Sequence, residues 1–130
     1  MQPGREIWVR DELRVVADQQ GTPTPAYLIA DTTARLLAMR EPVRGTLHLT
    51  ASGGTTWHGF AEAIIAGAHA RGLLARAPRV LPITTADFPT RARRPAYSRM
   101  DIAKLESVLG EPMPDWQAGL DHVLDEMVAR

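Results

Sequence analysis

The spacing of apolar residues changes several times along this chain, and each change marks a predicted element. Leu13-Arg14-Val15-Val16-Ala17 reads as a short strand. Asp18-Gln19-Gln20-Gly21-Thr22-Pro23-Thr24-Pro25 follows as a loop that Gly and two Pro keep irregular. Thr24 is placed to cap a helix whose first position is Pro25 and which runs to about Met39. Leu28, Thr32, Arg35, Leu36 and Met39 share its spacing, and Tyr27, Ala30, Ala34 and Leu37 continue the apolar stripe. Thr46-Leu47-His48-Leu49-Thr50 alternates like a strand.

After the turn at Ala51–Thr55, Thr56 is an N-cap for a helix to about Arg71. Phe60, Ala63, Ile64 and Ala68 lie on its buried face, and Gly72 sits just past its end. Arg79-Val80-Leu81-Pro82-Ile83 is a short extended segment, which Pro82 assigns to an edge. Thr84 to Ser98 carries two prolines and no periodicity, a length of irregular chain that is often functional. Asp101 caps a helix ending at Gly110. A last helix begins near Asp115, with Trp116, Leu120, Val123, Leu124 and Met127 as its apolar stripe and Asp121, Asp125 and Glu126 facing water. The expected fold class is α/β: one small mixed domain, residues 1–130, of about four helices and short strands.

Composition narrows the function classes. Hydrophobic residues at 45% and charged residues at 23% suit an ordinary globular domain. Without cysteine there is no disulfide framework and no thiolate metal site. No apolar run approaches the roughly 18 residues of a membrane span, and Met1–Glu6 has no secretory apolar core, so the expected location is cytoplasmic. Zero net charge argues against general nucleic-acid binding. The charges are segregated, however. Arg71 to Arg99 holds seven arginines and one acid, and Asp101 to Glu126 holds seven acids and one lysine. A local arginine cluster suits a small anionic ligand.

No active-site motif is present. The four histidines show no metal-binding spacing, and there is no GxSxG elbow, Walker loop or GxGxxG turn. Gly53-Gly54 reads as a strand-to-helix turn with a smaller prospect of ligand contact. The only lysine is Lys104, and the residue four before it is Met100, so the Tyr/Lys proton-transfer pair of short-chain dehydrogenases is missing.

Three segments have a bland and a functional reading. Asp18–Thr24 is either a rigid connection or a ligand-side loop ahead of a helix N-terminus. Trp57 and Phe60 are core anchors or ligand contacts. Phe88–Ser98 is either a solvated basic loop or a phosphate grip, since three guanidiniums within four residues can make bidentate bonds to phosphate oxygens. The acidic C-terminal stretch reads as a solvated face with some pairing to these arginines.

The runs LRVVADQQGTPTPAYLIAD, GTLHLTASGGTTWHGFAEAI, PITTADFPTRARRPAYSRMDIAKLE and PDWQAGLDHVLDEM, in this order from about Leu13 to Met127, closely resemble the C-terminal part of the dTDP-4-dehydrorhamnose reductase family, extended short-chain dehydrogenases/reductases. The resemblance implies a two-part enzyme that reduces dTDP-4-dehydro-L-rhamnose to dTDP-L-rhamnose in dTDP-rhamnose biosynthesis. In that enzyme a Rossmann-type N-terminal domain holds NADPH and the catalytic Tyr/Lys pair, and this chain supplies part of the nucleotide-sugar site.

It further implies that this chain alone has no catalytic residue, binds no cofactor, and is inactive without its companion. Residues 5–12 would be the tail of a preceding helix. By match to the family's DQxGxPT, TWH and RPxxS elements, the substrate-binding residues are Gln19, Gly21, Pro23 and Thr24, then Trp57, then Arg94, Pro95 and Ser98, with Arg94 first for a phosphate contact; Arg91, from the arginine cluster, joins them. A face left bare by the absent companion implies self-association, and a homo-oligomer is one expected form. The alternative is a non-catalytic nucleotide-sugar-binding or regulatory subunit of the same fold.

Overall fold

The computed structural model describes residues 10–130. Most of the expected helix for residues 5–12 lies outside that range, and its last residue, Glu12, opens a strand instead. The elements run β1 (Glu12–Val16), β2 (Gln20–Gly21), α1 (Ala26–Leu37), β3 (Thr55–Thr56), α2 (Trp57–Ala70), β4 (Arg79–Ile83), α3 (Ala103–Leu109) and α4 (Trp116–Ala129). This is the small mixed α/β domain with four helices that the periodicity predicts. Among the described residues, no helix is long and apolar enough to cross a membrane.

β1 and β4 pair in parallel, with Val15 opposite Pro82 and Val16 opposite Ile83. Among the described residues neither has a second neighbour, so Pro82 sits on an edge strand, where its missing N–H costs no ladder bond. β2 and β3 form a separate antiparallel pair, Gln20 opposite Thr56 and Gly21 opposite Thr55.

The helices pack through two hydrophobic clusters. One gathers Leu28, Ala51, Leu105, Met113 and Trp116, with Leu36, Leu47, Leu49 and Phe60 packed against it. Leu105 at its centre is wholly buried. The other gathers Ile65, Ala68, Leu74 and Leu124 beneath Leu13 and Val80 of the parallel pair. Leu120 touches both. α2 and α4 approach closely, and a Cβ at Gly67 would lie 2.6 Å from Leu124 Cδ1. Arg71 then clamps the two helices, donating to Asp125 Oδ1 at 2.7 Å and Asp121 Oδ1 at 3.1 Å.

Local caps behave as their sequence dictates. Thr56 Oγ1 accepts from Gly59 N–H at 3.0 Å, and Asp115 Oδ1 accepts from Gln117 N–H at 2.9 Å. Asp101 accepts from Ala103 N–H at 2.8 Å, although Ile102 is the flanking residue of α3. Gly110 ends α3 in the left-handed region at φ +74°.

Five expectations need correction. Thr24 does not cap α1. Pro25 is the cap residue, and Thr24 turns instead to a partner 27 residues away. The apolar stripe of α1 is wider than its contact: Leu28, Thr32 and Leu36 face the core, whereas Ala30, Ala34 and Leu37 are exposed. Thr46–Thr50 keeps a strand's alternation of burial but joins no ladder among the described residues, because no described strand lies beside it. Asp121 and Asp125 face water as expected, but they pair with Arg71 rather than with the later arginines. Thr84–Ser98 is not wholly irregular. It opens with a 3₁₀ turn over Thr85–Asp87, closed by a capping box in which Asp87 accepts from Thr84 N–H at 2.9 Å.

Candidate functional site

Three separated segments converge because short backbone links draw them together. Gln20 is the hub. Its pairing with Thr56 joins the 18–25 loop to the start of α2. On its other side, Gln20 N–H donates to Ala96 C=O and Ser98 N–H donates to Gln20 C=O, each at 2.8 Å. The end of the arginine loop thus lies parallel to Gln20, through a bridge to Tyr97. Strand alternation then points neighbouring side chains to opposite sides.

The result is a cleft of about 430 Å³. Its polar rim comes from Gln19, Thr22, Thr24, Thr55, Thr56 and Ser98. Its apolar wall comes from Trp57, Phe60, Trp116, Leu120 and Val123. Phe60 and Trp116 meet edge to face at 6.1 Å between ring centroids, which stiffens that wall. Trp57 is 59% exposed at the mouth. α1 and α2 both begin at the cleft, at Pro25 and Thr56, so two positive helix ends border it.

A chain of threonine bonds holds the rim. Thr24 Oγ1 donates to Thr22 C=O at 3.0 Å and accepts from Ala51 N–H at 3.1 Å. Thr22 Oγ1 donates to Gly53 C=O at 2.8 Å. Gly53 is held at φ +77°, which favours glycine, and a Cβ there would lie 2.5 Å from Asp115 Oδ2. Ser52 completes the frame, accepting from Trp116 N–H and donating to Pro114 C=O.

Of the residues singled out in the sequence, Gln19, Gly21, Pro23, Thr24, Trp57 and Ser98 line this cleft. Arg91, Arg94 and Pro95 do not. They lie on the exposed stretch between two anchored ends, the Thr84–Asp87 turn and the Ala96–Ser98 bridge. The near anchor is tightened by Asp18, whose carboxylate accepts from Thr85 Oγ1 at 2.6 Å and from Thr85 N–H. Those bonds hold the Asp18 carboxyl below its usual range, and the Thr84 backbone and hydroxyl do the same for Asp87. Sequence reasoning missed Trp116, Gly119, Leu120 and Val123. The last two were assigned only to a core stripe, and nothing in their spacing marks a cleft wall.

The Gly53-Gly54 turn is filled by the protein's own side chains, Asp115 against Gly53 and Arg99 against Gly54. Lys104 is not at the cleft. Its Nζ donates to Thr46 C=O at 3.1 Å. Among the described residues, no three His, Cys, Asp or Glu side chains are grouped to hold a metal.

Comparison with known proteins identifies the family. The family model for the RmlD substrate binding domain matches residues 5–129. A dTDP-4-dehydrorhamnose reductase of Shigella flexneri is 39% identical over 121 residues, covering 91% of this chain and 40% of that protein. A dTDP-4-dehydrorhamnose reductase of Burkholderia thailandensis is 44% identical over 132 residues, covering 93% of this chain and 44% of that one. A crystal structure of dTDP-4-dehydrorhamnose reductase from Bacillus anthracis in complex with NADP superimposes with a TM-score of 0.76 at 31% identity, over 91% of this chain and 38% of that one. The chain therefore spans about 40% of the length of the curated relatives it matches, and corresponds to their C-terminal part. A domain model matched nearly end to end, and a fold shared with solved reductases, place the chain in the RmlD substrate binding domain family of the dTDP-4-dehydrorhamnose reductases.

Proposed function

We propose that this domain holds the nucleotide sugar of a dTDP-4-dehydrorhamnose reductase, and that NADPH and the proton-transfer residues come from a companion domain. The observation carrying this reading is the convergence of Gln19, Thr24, Trp57 and Ser98, from three distant segments, on one cleft. Its make-up suits a deoxysugar nucleotide. Hydroxyls and amides on the rim match sugar hydroxyls and a pyrimidine edge, and the apolar wall matches a methyl-bearing sugar ring. Trp57 offers an exposed indole face for stacking.

The negative charge of the diphosphate is met by the two helix ends and by Arg91 and Arg94. These arginines stand outside the cleft wall on a loop pinned to it at Ala96–Ser98, and they reach the phosphates by a movement of that loop. In the whole enzyme, NADPH supplies the hydride for the 4-keto group. This chain's residues bind and orient the sugar and exclude water from one side of it.

The test is a chimera in which residues 13–127 replace the matching part of the Burkholderia thailandensis reductase. NADPH-dependent reduction of dTDP-4-dehydro-L-rhamnose by the chimera, with none by the 130-residue chain, is the expected outcome. A folded chimera that binds NADPH but no dTDP-sugar would overturn the reading.

A further inference from the structure

We infer that Arg99 is a fixed anion-binding residue beside the cleft, and that position 54 is glycine so that Arg99 can lie across it. The anion it suits is the diphosphate of a nucleotide sugar, and that part rests on the reading above. The seat itself is defined by contacts within this chain.

The two glycines of the turn before α2 answer different needs. Gly53 is left-handed, so its backbone alone favours glycine. Gly54 is not left-handed, and its backbone makes no such demand. What position 54 cannot accept is a side chain. The three atoms nearest to an added Cβ all belong to Arg99, with Cδ and Nε at 2.5 Å and Cζ at 2.9 Å. The end of the Arg99 stem and its guanidinium carbon therefore rest on bare Gly54 backbone.

The Arg99 backbone is held on both sides. Just before it, Ser98 N–H donates to Gln20 C=O at 2.8 Å. Just after it, Asp101 accepts from Ala103 N–H at 2.8 Å as α3 begins. Its neighbours belong to the cleft. Ser98 lines it, and Gly54 leads directly into Thr55 and Thr56, which line it too. Arg91 and Arg94, by contrast, lie on the exposed stretch ahead of the Ala96–Ser98 bridge.

Charge sets Arg99 apart. Arg71 is matched by Asp121 and Asp125, Arg76 by Asp11 and Arg79 by Glu12. Arg99 is exposed and makes no ion pair among the described residues. Even Asp115, which packs against Gly53 one residue away from the seat, does not pair with it.

The seat is also a poor place for a cation by itself. Thr56 caps α2 two residues after Gly54, so Arg99 lies at the positive end of that helix. An anion bound there reverses the sign of the interaction, because guanidinium and helix end both attract it. The planar fork of an arginine fits two phosphate oxygens, and a side chain already in place loses little freedom on binding. Arg99 thus needs no loop movement of the kind that Arg91 and Arg94 require.

Titration of the 130-residue chain with dTDP-L-rhamnose and with inorganic pyrophosphate, each at two ionic strengths, tests this. Arg99→Ala should weaken dTDP-L-rhamnose by roughly 10- to 100-fold and flatten the salt dependence, with the melting temperature unchanged. Gly54→Ala keeps the charge but displaces it, so it should reproduce part of that loss and part of the flattening. In the double variant Gly54→Ala should add nothing to Arg99→Ala. Arg40→Ala, past the far end of α1, should change neither affinity nor salt dependence. Unchanged affinity in Arg99→Ala or in Gly54→Ala would overturn the proposal. So would additive losses in the double variant, or an equal loss in Arg40→Ala. A lower melting temperature for the Arg99→Ala chimera at unchanged sugar affinity would also overturn it, by giving Arg99 to a carboxylate of the companion domain. Pyrophosphate shifts of the Arg99 Nε–H signal that vanish in Gly54→Ala, without any binding of dTDP-L-rhamnose, would keep the seat and reject the nucleotide-sugar reading. Binding of dTDP-L-rhamnose that leaves the Arg99 signal unmoved would do the reverse, and no response to either ligand in chain and chimera alike would reject both.

Discussion

The carboxylate of Asp18 holds Thr85, 67 residues later in the chain, through the Thr85 hydroxyl at 2.6 Å and the Thr85 N–H at 2.9 Å. Gln19 adds a bond from its Nε2 to the same hydroxyl at 3.2 Å. The cleft loop and the base of the arginine loop are therefore tied together, although each half is unremarkable in the sequence.

This tie has a pH dependence of known sign. Asp18 and Asp87 accept their bonds as carboxylates, so folding lowers both from the ordinary 3.8. The stability they contribute is fully present above that value and is lost as pH falls through the lower folded-state value. Carboxyl carbon NMR should place both midpoints below 3.8. Thr85→Ala should return Asp18 toward it, and an unmoved Asp18 midpoint in that variant would show that the bonds are not formed in solution.

Thr24 is expected to act on stability as well as binding. Its hydroxyl is the acceptor for the N–H of Ala51, which is 1% exposed. Thr24→Val keeps the shape and orphans that donor, at a cost of about 1–3 kcal/mol in denaturant unfolding. A change within error would mean that water replaces the threonine.

Gly53→Ala should destabilise by about 1–2 kcal/mol, because the residue is left-handed. The added methyl would also press on Asp115, the cap of α4. Loss of helicity confined to the first turn of α4 is the signature to seek by NMR. A neutral substitution would show that the turn relaxes freely.

Binding is expected to divide between the wall and the loop. In the chimera, Trp57→Ala should weaken dTDP-sugar by about 1–3 kcal/mol if the indole stacks on the ligand. Arg94→Ala should cost a similar 1–3 kcal/mol, with a salt dependence that Trp57→Ala lacks. Calorimetry at two ionic strengths separates them. An unchanged affinity for Arg94→Ala would leave the diphosphate to the helix ends, Arg91 and Arg99.

The parts legible in the sequence were those fixed by neighbours. Thr56, Asp115 and Gly110 bound their helices because a cap needs only the next few residues. Long-range partners were not legible. Thr24 has the chemistry of a cap, but its hydroxyl is taken by Ala51 across the fold. The alternation of Thr46–Thr50 was readable, whereas the presence of a ladder partner was not, since period two records only which side is buried. Asp121 and Asp125 keep their expected solvent face, but their partner is Arg71 because α2 and α4 cross at Gly67. Half of the candidate site was visible as motif. Its assembly rests on Gln20 bridging Thr56 and Tyr97, which no local pattern records.

The most direct test of the cleft is a titration of the isotope-labelled 130-residue chain with dTDP-L-rhamnose, read amide by amide. Saturating shifts at Gly21, Thr22, Thr24, Thr55, Ser98 and the Trp57 indole, with α3 and the Arg71 clamp unmoved, are the predicted result. Saturating shifts that leave all six untouched, or no response to millimolar ligand, would contradict it.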